Sequence, residues 1–215
     1  YNLGYGIDTR LNLFGDDFLT FKIAQTFENQ KQNKPFSLQP TNLYLRWGRN
    51  RIEGFIYAFL LDWSGKDFNP GIGLEIRDNF FYKSATLQYG WLPGKESFLN
   101  SHNIFVRSNI YHSSLDGSLE SVANIAGWNF VTRKTTEGYI YLNHELEVLK
   151  YPFYIVFPDI YVPTGRYNFF FVNGSLYTTS RNRLWNFSFI PEAGSYYDGY
   201  KVSLSFKPGL NIGSS

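Results

Sequence analysis

The stretch Leu3-Gly4-Tyr5-Gly6-Ile7-Asp8-Thr9-Arg10-Leu11-Asn12-Leu13 decides the fold class. Leu3, Tyr5, Ile7, Leu11 and Leu13 fall on one side of an extended chain, and Gly4, Gly6, Asp8, Arg10 and Asn12 on the other. A period of two is that of a strand with one apolar and one polar face. Gly15-Asp16-Asp17 follows with turn chemistry. Leu19, Phe21, Ile23 and Phe27 then oppose Thr20, Lys22, Ala24 and Thr26. Two alternating runs joined by a short polar turn predict a β-hairpin.

The same pattern recurs outward from this hairpin. Leu43, Leu45 and Trp47 oppose Asn42, Tyr44 and Arg46; Ala85, Leu87, Tyr89 and Trp91 oppose Ser84, Thr86, Gln88 and Gly90. Ile104, Val106 and Ile110 face away from Arg107 and Asn109, and Ile140, Leu142, Leu146 and Val148 away from Asn143, Glu145 and Glu147. Trp185, Phe187 and Phe189, then Val202, Leu204 and Phe206, close the series. Residues 119–131 read ambiguously, and 167–177 as a strand of weak phase. The alternation predicts about eleven strands.

Composition narrows the class. Of 215 residues, 20% are aromatic and only 18% charged, against roughly 25% charged in typical soluble domains. Mean hydropathy is nevertheless slightly polar. Strands that show one face to lipid and the other to water have this composition. With no cysteine there is no disulfide framework, thiol nucleophile or thiolate metal site. A net charge of +2 without a basic block gives nucleic acid no footprint. The longest apolar run, 55–61, falls well short of the about 20 residues a membrane helix needs, whereas barrel strands need only about 9–11 alternating residues.

Connection lengths point the same way. Short links are expected near 15–17, 48–50, 132–137 and 179–182, longer ones near 29–40, 64–75, 149–165 and 191–199, with weaker links at 92–99 and 113–118. Short and long links that alternate are the habit of outer-membrane barrels. The expected fold is therefore an all-β antiparallel transmembrane β-barrel, a meander, with 1–215 as a single barrel domain and a fragment of a longer chain. Trp47, Trp63, Trp91, Tyr139, Tyr177 and Trp185 lie near strand ends, where aromatic girdles sit at headgroup level.

Three segments carry a family resemblance. Asp67-Phe68-Asn69-Pro70 followed by Gly71-Ile72-Gly73 resembles a "DFNPxxGF" loop motif, with Leu74 where phenylalanine is expected. Glu145 through Pro152-Phe153, then Val162-Pro163-Thr164-Gly165-Arg166-Tyr167, resembles an "E-x-L-x-x-PF … IPxGxY" stretch. Gly194-Ser195-Tyr196-Tyr197-Asp198-Gly199 resembles a "GxFYDG" turn. Together, over roughly residues 40–207, they resemble the barrel domain of unknown function found in Bacteroidota-type outer-membrane proteins, usually after a family-9 carbohydrate-binding-like module. The resemblance implies further strands after Ser215 and a sugar-binding module before Tyr1. It carries over no active site.

Candidate chemistry is sparse. Glu145 and Glu147 share a strand face at a separation that suits paired glycosidase carboxylates, or equally a solvated ion network. Of His102, His112 and His144, only His144 has carboxylates at hand, and three or four ligands are the usual transition-metal set. Asp62, Asp67, Asn69 and Asp78 offer oxygen ligands without the spacing of a calcium loop. Asp8, Arg10, Lys22, Arg46 and Arg107, with the two glutamates, line the polar face, as a charge filter or a packed, salt-bridged interior; small barrels favour the second. Tyr154, Tyr161, Tyr196 and Tyr197 suit stacking on sugar rings or packing of loops on one another.

The expected function is an outer-membrane barrel domain, a membrane anchor or a part of glycan-related transport or binding at the cell surface. Its partners are the lipid bilayer, glycans and other outer-membrane proteins, with no nucleic acid and no cofactor. The alternatives are a soluble β-sandwich carbohydrate-binding domain and a membrane-associated hydrolase acting through Glu145 and Glu147.

Overall fold

The computed structural model describes residues 1–28, 34–71, 77–156, 160–178 and 185–210, and among them it is all β. The strands are β1 (Asn2–Asn12), β2 (Asp17–Glu28), β3 (Thr41–Arg49), β4 (Gly54–Ser64), β5 (Phe80–Trp91), β6 (Leu99–Ser113), β7 (Leu119–Thr132), β8 (Thr136–Leu149), β9 (Phe153–Val156), β10 (Ile160–Val162), β11 (Gly165–Thr178), β12 (Trp185–Tyr196) and β13 (Gly199–Leu210). All but β9 and β10 form one 11-stranded antiparallel sheet in sequence order, a meander. β9 and β10 pair as a separate hairpin in the link between β8 and β11. Among the described residues β1 pairs only with β2 and β13 only with β12, so the sheet has two open edges.

Links at 13–16, 50–53 and 133–135 are tight, as the sequence predicts, and the link expected near 179–182 lies outside the described residues. The weaker links, at 92–98 and 114–118, show no short-then-long order in their lengths. One expectation fails. The long link expected at 191–199 reduces to Tyr197 and Asp198. Pro191-Glu192-Ala193-Gly194-Ser195 has loop composition, yet it pairs with β13 from Pro191↔Leu204 to Ser195↔Tyr200. On the β11 side the register runs from Asn173↔Glu192 to Leu176↔Phe189 with no partner for Pro191. Proline has no N–H to give that ladder, so the interruption falls where it costs least.

The chain divides into two compact units, one of residues 1–50, 57–86 and 108–122 and one of 51–56, 87–107 and 123–215. In the first, the registers Ile7↔Ile23, Ile23↔Leu43 and Leu43↔Trp63 align the alternation of four strands. Directly opposed residues share a side. One face therefore carries Ile7, Leu11, Phe21, Leu45, Trp47, Phe59 and Leu61, all exposed. The other carries Asp8, Arg10, Thr20, Lys22, Tyr44 and Arg46, and it is there that Phe18 is buried.

The second unit repeats the inversion. Val172↔Leu142, Ala193↔Val202, Pro191↔Leu204 and Phe189↔Phe206 continue one apolar face. Val202 is 81% exposed, Leu204 67% and Phe206 60%. Leu146, on the same face, is buried, and nothing in the structure explains why it differs from its neighbours. The opposite face holds Tyr141, Asn143, Glu145, Glu147, Asn173, Glu192 and Lys201, with Phe105 packed edge-on against Tyr141. In each unit the apolar face is exposed; on the opposite face Phe18, Asn143 and Phe169 are buried, while Asp8, Arg10, Lys22 and Arg46 remain exposed. The sheet-forming strands are 9 to 15 residues long.

Candidate functional site

The polar face of the first unit gathers four of the residues that the sequence singles out. Asp8 lies opposite Lys22 in the β1–β2 register, and the Lys22 ammonium lies 5.7 Å from the ring centre of Tyr44. Arg10 and Arg46 approach the buried Phe18 ring at 4.3 and 5.5 Å. Such cation–π contacts hold a guanidinium against a ring without a carboxylate for each.

In the second unit Arg107 lies 5.4 Å from the Phe105 ring. Tyr141 donates to Asn129 Oδ1 at 2.6 Å, and Asn129 Nδ2 donates to Asn103 Oδ1 at 2.9 Å. Asn143 Nδ2 donates to Asn173 Oδ1 at 3.0 Å. On this face these side chains satisfy one another in small groups, as half-buried polar groups do.

Glu145 and Glu147 belong to it and line a cavity of about 250 Å³ with Phe169, Glu192, Tyr197 and Lys201. Lys201 Nζ is 2.8 Å from Glu192 Oε1, and the Tyr197 hydroxyl donates to Glu147 Oε2 at 3.3 Å. Tyr197 sits in the β12–β13 turn with φ 52°, the left-handed region. Its ring packs edge-on against Phe153, Tyr167 and Phe169 at 5.6, 5.1 and 5.0 Å. Burial pushes its phenol up to about 12, and the neighbouring Glu147 charge adds to that. Tyr167 in turn donates to the Pro163 carbonyl at 2.8 Å.

The second and third motifs thus meet: Tyr167, bonded to Pro163, packs on Tyr197, whose hydroxyl is on Glu147, while Gly165 opens β11 and Gly199 opens β13 beyond Asp198. Glu192 and Lys201, which complete the cavity, had no distinguishing mark in the sequence beyond the alternation. Tyr154 and Tyr161 pack on each other across the β9–β10 hairpin at 5.4 Å, and Tyr196 packs on Tyr197 at 4.8 Å.

The first motif has its own role in the other unit. Asp67 N donates to the Gln39 carbonyl at 2.8 Å, and Asn69 N donates to Thr26 Oγ1 at 2.9 Å. Asn69 Nδ2 donates to Glu28 Oε1, and Asn2 Nδ2 donates to the Asn69 carbonyl at 3.0 Å. Phe68 and Pro70 line a cavity with Tyr5 and Gln25. The loop is tied down over the ends of β1 and β2. Ile72, Gly73 and Leu74 lie outside the described residues.

The histidines separate from the carboxylates. His144 lies on the apolar face, away from Glu145 and Glu147, stacked on Phe170 at 4.5 Å with Nδ1 3.0 Å from Asn124 Nδ2. His102 stacks on Trp91 at 4.8 Å and accepts from Trp128 Nε1 at 3.4 Å. His112 Nδ1 is buried without a partner. Among the described residues no three His, Asp or Glu side chains gather as a metal site. Asp62, Asp67 and Asp78 do not gather as a cation site among the described residues; Asp62 accepts the Asn42 amide at 3.1 Å, and the Asn69 amide donates to Glu28.

No protein-family model, no curated protein and no solved structure matches the chain.

Proposed function

We propose that this chain is the membrane-embedded sheet of an outer-membrane β-barrel, serving as an anchor or as part of glycan-related transport or binding at the cell surface. The observation that carries the reading is the inverted polarity within each unit: Ile7, Trp47 and Phe59 are exposed on one face of the first, Leu142, Phe170 and Leu204 on one face of the second, and in the second the opposite face carries hydrogen-bonded polar groups. Water-soluble monomers rarely expose apolar patches beyond a few hundred Å². In lipid the same face is where it should be. Strands of 9 to 15 residues are long enough to span when tilted. A β-sandwich would need a second sheet over the apolar face, and among the described residues the other sheet is only the β9–β10 hairpin.

Lipid tolerates no unpaired backbone, so the reading requires strand partners for the outer edges of β1 and β13. The glycan part rests on the family resemblance and on the aromatic and acidic lining of the Glu145–Glu147 cavity. Fractionation of cells that make the full-length protein tests the anchor. The expected result is recovery with the outer membrane and a band whose migration in detergent gels shifts on boiling. A protein found in the soluble fraction, migrating identically before and after boiling, would refute it.

A further inference from the structure

The apolar face of the first unit is not uniform. Between Trp47, Phe59 and Leu61 on one side and Ile110 on the other, Ala85 and Ser108 leave a depression of about 380 Å³. That size lies within the range of small-molecule sites. Lys83 is the one charged residue that lines it. The Lys83 ammonium lies 4.6 Å from the ring centre of Phe81, two residues nearer the start of β5, so the side chain leans along the strand toward that start. This is how a lysine on a lipid-facing surface brings its charge toward the headgroups.

The other cation placed on this face by the strand registers, Arg49, is bound to Asp17 at 2.6 Å. Among the described residues Lys83 has no carboxylate partner. A cation on a lipid face costs most at the bilayer midplane and least near the interface, where an anion can meet it. An apolar depression with one lysine in its lining matches an acyl chain with an anionic head.

We propose that this depression seats an anionic phospholipid, an acyl chain lying over Ala85 and Ser108 and the phosphate on Lys83. The proposal rests on the membrane reading above. It is tested on the full-length protein, extracted in detergent and titrated with phosphatidylglycerol or phosphatidylcholine of equal chain length, with retained lipid counted by native mass spectrometry.

The wild type should retain phosphatidylglycerol about fivefold better, the worth of one lysine near an anionic headgroup. Lys83→Gln should bring the ratio to about one, while Lys83→Arg keeps it. Ala85→Phe should reduce retention of both lipids. Equal retention by the wild type, or a preference that survives Lys83→Gln, overturns the site. Boiling-dependent migration of each sample separates the two failures. A wild type that never shows the folded band overturns the membrane reading along with the site; a folded wild type without preference overturns the site alone.

Discussion

Phe169 and Phe170 are neighbours in β11 and meet opposite environments: Phe169, opposed to Glu145, is 6% exposed, and Phe170, opposed to His144, is 63% exposed. In a soluble sheet the ring beside the carboxylate would be the exposed one. Here the sheltered side is the polar side, and the residues around these two rings supply most of the tests.

Leu142, opposed to Val172 on the exposed apolar face, should not tolerate charge. Leu142→Arg is expected to destabilise the membrane-inserted protein by about 2–4 kcal/mol. Ser203→Lys, on the polar face opposite Glu192, should stay within about 0.5 kcal/mol of wild type. Urea titration of protein reconstituted in vesicles measures both, and equal losses would count against an apolar face in lipid.

Asn124 and His144 pair on the outward face, where neither has water to fall back on in lipid. Removing His144 strands the Asn124 amide, at about 1–3 kcal/mol, whereas His144 keeps Asn168 Oδ1 at 3.4 Å when Asn124 is removed. His144→Leu should therefore cost more than Asn124→Leu, and the double variant less than their sum. Additive losses in a double-mutant cycle would mean the two side chains act independently.

Gly127 faces the Phe105–Tyr141 pair so closely that a Cβ would lie 2.5 Å from Tyr141 Cδ1 and 2.6 Å from Phe105 Cε1. Gly127→Ala should cost about 1–3 kcal/mol by forcing the rings apart. An unchanged denaturation midpoint would show that the rings can yield.

Tyr197 should titrate late. Its phenol is held at about 12 in the folded protein, against about 10 in the unfolded chain. The proton is thus bound more tightly when folded, so this contribution to stability is complete below pH 10 and lost as pH rises from 10 to 12. Difference absorbance of wild type against Tyr197→Phe isolates the transition. Glu147→Gln should lower it, and a midpoint that does not move would remove Glu147 as a cause.

Much of the fold was legible because strands need only a period of two, and chains such as Leu43, Leu45 and Trp47 keep it cleanly. It blurs where polarity crosses faces for a local reason. Residues 119–131 read poorly because Asn124 is on the apolar side, bonded to His144, while Gly127 is on the polar side to admit two rings. The weak phase of 167–177 comes from Phe169 and Phe171, aromatic residues that line the polar-side cavity. The candidate site was half legible. Glu145, Glu147, Tyr167 and Tyr197 carried motif or spacing signals, but nothing local reveals that Glu192 pairs with Lys201 across two strands.

The most direct test uses the absence of cysteine from these 215 residues, so that a thiol introduced here is the only one in this stretch; any cysteine elsewhere in the full-length protein is first replaced by serine. Single replacements from Asn168→Cys to Asn173→Cys in β11 would be made in the full-length protein, in membranes, and probed with a lipid-partitioning and a membrane-impermeant maleimide. The account predicts a period of two, with Phe170→Cys and Val172→Cys reacting only with the lipid-partitioning reagent and Phe169→Cys and Phe171→Cys shielded from it. A profile without that period, or one in which Phe170→Cys reacts readily with the impermeant reagent, would contradict a lipid-facing apolar surface.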